Sequence, residues 1–318
     1  MEIIGKGNAN ILIRFPNEND DKNDEYLYRF CIRPFQSLES YNSYTMTNHE
    51  FIKRELVPLL GEEYVCSLEL VSLPICDDLK RILGPYCKSF ITKNMIPASD
   101  SIMGLKVLNL KPSRLSMDIL QEDHQLKVYV DATGDKIVLE VKPKWLYNPD
   151  TLGFCRNCVH NSFKKRENIK YCMASMVKAR THHQVNIMDL FHENTVKCLP
   201  EIFIDDLNNY FQNDDNVLKR LYYLQRNLSD KTVSIEKINS DDDVTTGLMI
   251  LMILRDVTVF ISWDKQDGDT DGNHISSHII DLDLKPRSKW KHWQETERLL
   301  SKQSNNNNNN NCILHSNV

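Results

Sequence analysis

The sequence has no apolar run approaching the roughly 18 residues that a membrane helix needs. Its first residues, MEIIGKGNAN, lack the basic and apolar pattern of a signal peptide. A disulfide framework is missing as well. The nine cysteines are an odd set, and Cys31, Cys66, Cys76, Cys87, Cys198 and Cys312 stand singly, as reduced intracellular thiols do. Nor is there any excess of positive charge. At −5 overall, the chain does not read as a nucleic-acid binder, and an anionic ligand must be held by a local cluster of bases.

What is present reads as an α+β chain. EIIGKGNANILIRF is strand, turn, strand, and EYLYRFCIR (25–33) alternates like a half-buried strand, with a polar, acidic hairpin tip between them. Residues 47–61 show helical spacing behind a Thr or Asn cap. SIMGLKVLNL, LKVYVD and KIVLEVKPKW are strand-like, a helical region covers roughly 155–228, TTGLMILMILRDVTVFISWD runs helix into strand, and 278–284 form another strand. Two β-bearing parts around a helical block predict two lobes. The boundaries are drawn at 1–110, 111–300 and an Asn-rich disordered tail, 301–318.

Several short stretches carry chemistry. In GKGNAN, Gly5 and Gly7 with Asn8, Ala9 and Asn10 form either a tight turn or a loop whose backbone amides approach a phosphate. LEVKPKW sets Glu140, Lys142 and Lys144 on one side of a strand, as an anion-binding edge or a lysine-protected edge strand. Cys155, Cys158 and Cys172 read as reduced core thiols beside a basic helix, the favoured reading, or, with His160 close by, as part of a zinc site. DGDTDGN (267–273) copies half a calcium loop, but its twelfth position is His278, so a hairpin turn fits better. Asp256 opens one strand, and Asp281 and Asp283 end the next, followed by Lys285, Arg287 and Lys289. Carboxylates for a hydroxyl proton and for Mg²⁺, beside bases for phosphates, are the parts of phosphoryl transfer.

Taken in order, GNAN, EVKPKW, CRNCVH and IDLDLKP, spanning residues 5–286, resemble the inositol-pentakisphosphate 2-kinases, particularly the short fungal members. The resemblance implies a two-lobed, distantly protein-kinase-like fold and transfer of the ATP γ-phosphate to the 2-hydroxyl of inositol 1,3,4,5,6-pentakisphosphate, giving the hexakisphosphate. It implies ATP, Mg²⁺ and nuclear residence; a monomer is expected, and charge and apolar patterning predict binding to neither membrane nor nucleic acid. Residue by residue, it makes the Gly5–Asn10 loop, Arg29, Glu140, Lys142 and Lys219 nucleotide contacts. Lys144, Arg156, His160, Lys164, Asn216, Lys285, Lys289 and Trp293 become substrate contacts. Asp256 and Lys142 are the catalytic pair, and Asp281 with Asp283 the Mg²⁺ ligands. Placing His160 on a substrate phosphate weakens the zinc reading further.

Overall fold

The computed structural model describes residues 1–15, 26–87, 91, 100–111, 117–149, 154–166, 169, 171–177, 187–265 and 274–304. The acidic hairpin tip, the DGDTDGN turn and the Asn run lie outside them. The α+β class holds: ten strands form two antiparallel five-stranded sheets, with helices around them. The chain divides into two compact units, one of Met1–Pro58 with Cys66–Lys111, the other of Leu59–Val65 with the described residues from 117 onward. No helix among the described residues is long and apolar enough to cross a membrane.

The first unit is built on β1 (Glu2–Lys6), β2 (Asn10–Arg14), β3 (Tyr26–Cys31), β4 (Leu68–Pro74) and β5 (Ser101–Leu108), in the order β1-β2-β3-β5-β4. Period-two alternation puts Ile11, Ile13 and Phe30 into a core shared with Tyr41, Leu79 and Ile102. Close packing also explains Gly104, where a Cβ would stand 3.0 Å from the Phe30 ring. Helix α1 (Leu38–Phe51) begins nine residues before the start read from sequence. Ser37 caps it reciprocally with Ser40, a Ser-x-x-Ser version of the capping box. The residues that follow, LESYNSYT, carry no clear apolar stripe, so sequence periodicity missed that first half. A second helix, α2, spans Asp77–Leu83.

The second unit carries β6 (Met117–Glu122), β7 (Leu126–Asp131), β8 (Lys136–Val141), β9 (Thr258–Asp264) and β10 (Ile275–Ile280), in the order β10-β9-β8-β7-β6. Helix α3 is Arg156–Phe163, α4 Glu201–Gln212, α5 Val217–Lys231, α6 Thr246–Leu254 and α7 Trp290–Ser304. Helix α6 is apolar nearly all round and is buried from Leu248 to Leu254. It packs with Trp145, Trp290 and Trp293. Helix α7 carries regular structure to Ser304, past the boundary that composition suggested at 300.

Two features of this unit set up its chemistry. Strand β8 stops at Val141, so Lys144 is not on a strand face with Glu140 but beyond the strand's end, at φ 57°. Strand β10 stops at Ile280, and Asp281 turns into the left-handed region at φ 66° instead of continuing the strand through 284. Such a backbone is uncommon for any residue with a Cβ and persists where its surroundings over-determine it.

Candidate active site

The end of β8, the turn between α6 and β9, and the segment after β10 meet on one carboxylate. Lys144 Nζ lies 2.9 Å from Asp256 Oδ1, and Lys285 Nζ lies 2.7 Å from Asp256 Oδ2. The left-handed turn at Lys144 is what leaves the strand direction and brings its ammonium to this point. Burial alone would raise the Asp256 carboxyl, but the two ammonium groups and their hydrogen bonds outweigh it and hold the group down at about 2. Its side chain is still 48% exposed, so the ionised oxygens are open to an incoming ligand.

Beside this triad, Thr258 Oγ1 donates to Asp281 Oδ2 at 2.8 Å, and Asp283 is buried. Glu140 accepts from the Tyr129 hydroxyl at 2.8 Å and stands 4.0 Å from Lys142 Nζ. Lys142 keeps its backbone fixed past the strand end by donating N–H to the Gln125 carbonyl at 2.7 Å. Two carboxylates of the cluster are thus held by hydroxyl donors, and a third is bracketed by lysines.

Two histidines belong to the same electrostatic neighbourhood. Burial first, then Arg156, Arg166, Lys164 and Lys144, push His160 down to about 4. Burial, Arg166, Lys144 and Lys142 push His124 down to about 4 as well. Both are therefore neutral near pH 7 within a set of cations. His124 sits at the β6–β7 turn, which Asp123 pins by accepting from the N–H groups of Gln125 and Leu126 and from the Tyr171 hydroxyl. Gln125 accepts from Asn161, which in turn accepts from Arg166 at 3.2 Å. Sequence reasoning did not assign His124 or Arg166 to the site, because a lone histidine in EDHQL has no spacing signal.

The remaining candidates have contacts of their own, and Arg156 and Lys164 also act on His160. Arg156 is buried, with Nε donating to Glu297 Oε1 at 2.6 Å, and its guanidinium lies 3.7 Å from the Trp145 ring centroid. Arg255 covers the same ring, with its guanidinium carbon 3.5 Å from the centroid. Such desolvated contacts are worth about 2 kcal/mol or more. Trp293 is buried in the apolar cluster of Trp145 and Trp290. Asn216 is the N-cap of α5, accepting from the N–H groups of Leu218 and Lys219. Lys219 Nζ donates to Asp214 at 2.7 Å and to the Gln212 carbonyl at 3.0 Å. Lys164 and Lys289 are exposed.

In the first unit, Gly7 N–H donates to the Asn10 carbonyl, which closes the hairpin of Gly5, Gly7, Asn8, Ala9 and Asn10, and Ile32 N–H donates to the Ala9 carbonyl, which ties that turn to the end of β3. Arg29 is buried on β3. Neither Gly5 nor Gly7 has a positive φ, and added Cβ atoms would come no closer than 3.5 Å to Leu12 and 3.9 Å to the Asn10 carbonyl. Among the described residues, nothing requires glycine at these two positions.

The three thiols Cys155, Cys158 and Cys172 are drawn together, with all three sulfurs within 4.8 Å of one another and Cys155 to Cys172 at 3.6 Å. His160 is not part of that group.

Comparison with known proteins gives one consistent result. The sequence description of the family inositol-pentakisphosphate 2-kinase matches residues 4–197 and 172–299. An inositol-pentakisphosphate 2-kinase of Saccharomyces cerevisiae is 36% identical over 305 residues, covering 95% of this chain and 97% of that protein. One of Candida glabrata is 34% identical over 303 residues, covering 95% and 98%. One of Kluyveromyces lactis is 33% identical over 300 residues, covering 94% and 93%.

Proposed function

The chain belongs to the inositol-pentakisphosphate 2-kinase family, and from that premise we propose that it transfers the γ-phosphoryl group of ATP to the 2-hydroxyl of inositol 1,3,4,5,6-pentakisphosphate, giving the hexakisphosphate. One observation carries the reading: a carboxylate, Asp256, bracketed by two lysines in a cluster that also holds Lys142, Arg166, His124 and His160. An acceptor with five phosphates needs such a local set of cations on a chain of net charge −5.

A carboxyl held at about 2 is a weak base. In the proposed reaction the acceptor's phosphates offset the charge of Lys144 and Lys285 without displacing them, and the affinity of Asp256 for a proton rises. Asp256 then accepts the proton of the 2-hydroxyl as that oxygen attacks the γ-phosphorus in line. The bond to the bridging oxygen breaks and ADP leaves. Lys142 stabilises the charge on the transferring group, and the neutral histidines accept a proton or donate N–H to acceptor phosphates. Positioning and electrostatics supply most of such a rate. Asp281 and Asp283 offer the hard oxygen donors that suit Mg²⁺, whose charge would offset that of the nucleotide phosphates.

The first unit is the nucleotide lobe and the second the inositol-phosphate lobe of a distantly protein-kinase-like fold. The unexplained glycines of the first hairpin support this, since phosphate groups approaching the backbone would supply the missing reason for Gly5 and Gly7. The test is incubation with Mg²⁺-ATP and a panel of inositol phosphates, with products resolved by anion exchange. Conversion of the 1,3,4,5,6-pentakisphosphate to the hexakisphosphate supports the reading. Turnover of another isomer alone moves the specificity, and no turnover with any acceptor overturns the kinase.

A zinc ion on Cys155, Cys158 and Cys172 is the second element of this reading. Three thiolates bound tetrahedrally at about 2.3 Å would stand about 3.8 Å apart, close to the 3.6 Å between Cys155 and Cys172. Because His160 stands outside the three, it remains available to substrate, and the conflict raised by the sequence disappears. Zinc at one equivalent per chain, lost in the Cys172→Ser variant, supports the site. Metal-free protein that does not take up added zinc contradicts it.

A further inference from the structure

We propose that Gln225 is a positioning residue of the transfer reaction: it ties together the two backbone segments on which Lys144 and Asp256 stand, so that this ion pair has a single geometry. The inference rests on the reading of Asp256 as the base.

Gln225 lies within α5 and is fully buried. Its Oε1 accepts from Leu146 N–H at 2.9 Å and Tyr147 N–H at 3.2 Å. Its Nε2 donates to the Lys144 carbonyl at 3.0 Å and to the Leu254 carbonyl at 3.0 Å. The amide therefore links the segment after β8 directly to the C-terminal end of α6, and both its donor hydrogens are in use.

The link is needed because the sheet no longer supplies one. Strands β8 and β9 pair from Lys136↔Asp264 only as far as Val141↔Val259. Past that point no ladder aligns residue 144 with residue 256, and Lys144 must also hold a left-handed backbone. Asn157 shares the work on one side, accepting from Trp145 N–H and donating to the carbonyls of Pro143 and Trp145. The hydrogen bonds of Gln225 span both segments through their backbones, at Lys144, Leu146 and Tyr147 on one side and Leu254 on the other.

A stack of side chains reinforces the link at the adjoining residues. Trp145 follows Lys144, Arg255 precedes Asp256, and Trp145 lies between the guanidinium groups of Arg255 and Arg156. Arg255 also donates to Ser229 Oγ at 2.8 Å, on the same helix as Gln225. Helix α5 thus holds the Asp256 side of the pair through Ser229, which accepts from Arg255, and Gln225, which donates to the Leu254 carbonyl, and the Lys144 side through Gln225.

The test compares the full chain with Gln225→Met and Gln225→Glu. The first removes all four bonds. The second is nearly isosteric and, when ionised, keeps the two accepted bonds while losing both donated ones. Turnover per folded molecule, the KM for ATP, and the titration of the Asp256 carboxyl by carbon NMR are measured for each. We expect kcat to fall by about 10²-fold, as misplacement by about 1 Å does, with the KM for ATP within about twofold. The Asp256 carboxyl should titrate about one pH unit higher, because the Lys144 charge is no longer fixed beside it. If the methionine variant does not fold, the glutamate variant decides. Unchanged kcat per folded molecule with an unchanged Asp256 titration would overturn the proposal and leave Gln225 a core residue. The titration needs no turnover, so a wild-type protein that phosphorylated nothing would sink the kinase reading while this test still read the geometry.

Discussion

The two sheets are alike in size and pairing, each five-stranded and antiparallel, yet they treat the ends of their strands differently. In the first unit, β1 and β2 join through a three-residue turn, and neither Gly5 in β1 nor Gly7 in the turn has a positive φ. In the second, β8 and β10 stop short of the residues that matter, and the chain bends through Lys144 and Asp281. All three non-glycine residues with positive φ among those described (Lys144, Lys165 and Asp281) belong to the second unit. Backbone in that region has an energetic cost, and it persists here beside a paired carboxylate and a buried arginine stack. Under the proposed function, the contrast is a division of labour in which the first unit would offer backbone to a ligand and the second oriented charge.

The comparison can be broken most sharply at Asp256. Asp256→Asn removes the proposed proton acceptor but keeps the shape, and kcat should fall by about 10²–10⁴-fold while the variant stays folded at the assay temperature, as circular dichroism checks. Next comes Glu297→Ala. It leaves Arg156 buried without its paired carboxylate, and should cost about 3–5 kcal/mol in denaturant unfolding.

A smaller effect concerns pH. The Asp256 carboxyl titrates lower in the folded state than its ordinary 3.8, so its contribution to stability is present above about 4 and is lost as pH falls towards about 2. Melting temperatures measured across that window should converge between wild type and Asp256→Asn. A gap that stays constant down to pH 2 would mean that the two lysines do not hold the carboxylate. The smallest effect belongs to the first unit. Gly7→Ala should change stability by no more than about 1 kcal/mol, since φ is ordinary there. It should raise the KM for ATP and leave kcat near wild type; an unchanged KM would break the contrast between the units.

Much of the fold was legible because side-chain alternation and apolar runs write it directly. The β1–β2 turn, β3 and the helix-to-strand passage from α6 into β9 all follow from period and composition. The first half of α1 was not legible, since its polar and aromatic residues show no stripe and its cap is Ser-x-x-Ser rather than Ser-x-x-Glu. The candidate site residues follow from ordered short motifs, and period-two logic then put Lys144 on the wrong footing. A lysine at φ 57° is dictated by tertiary contacts with Gln225 and Asn157, neither of which carries a local signal. Arg156 shows the same limit, because its partner Glu297 stands 141 residues away.

The most direct measurement is a single-turnover reaction of wild type and Asp256→Asn with Mg²⁺-ATP and inositol 1,3,4,5,6-pentakisphosphate, with acceptor binding measured separately by calorimetry. Hexakisphosphate formed by the wild type, and formed at least about 10²-fold more slowly by a variant that still binds the acceptor, is the predicted result. Equal rates from both proteins would contradict the assignment of Asp256 as the base.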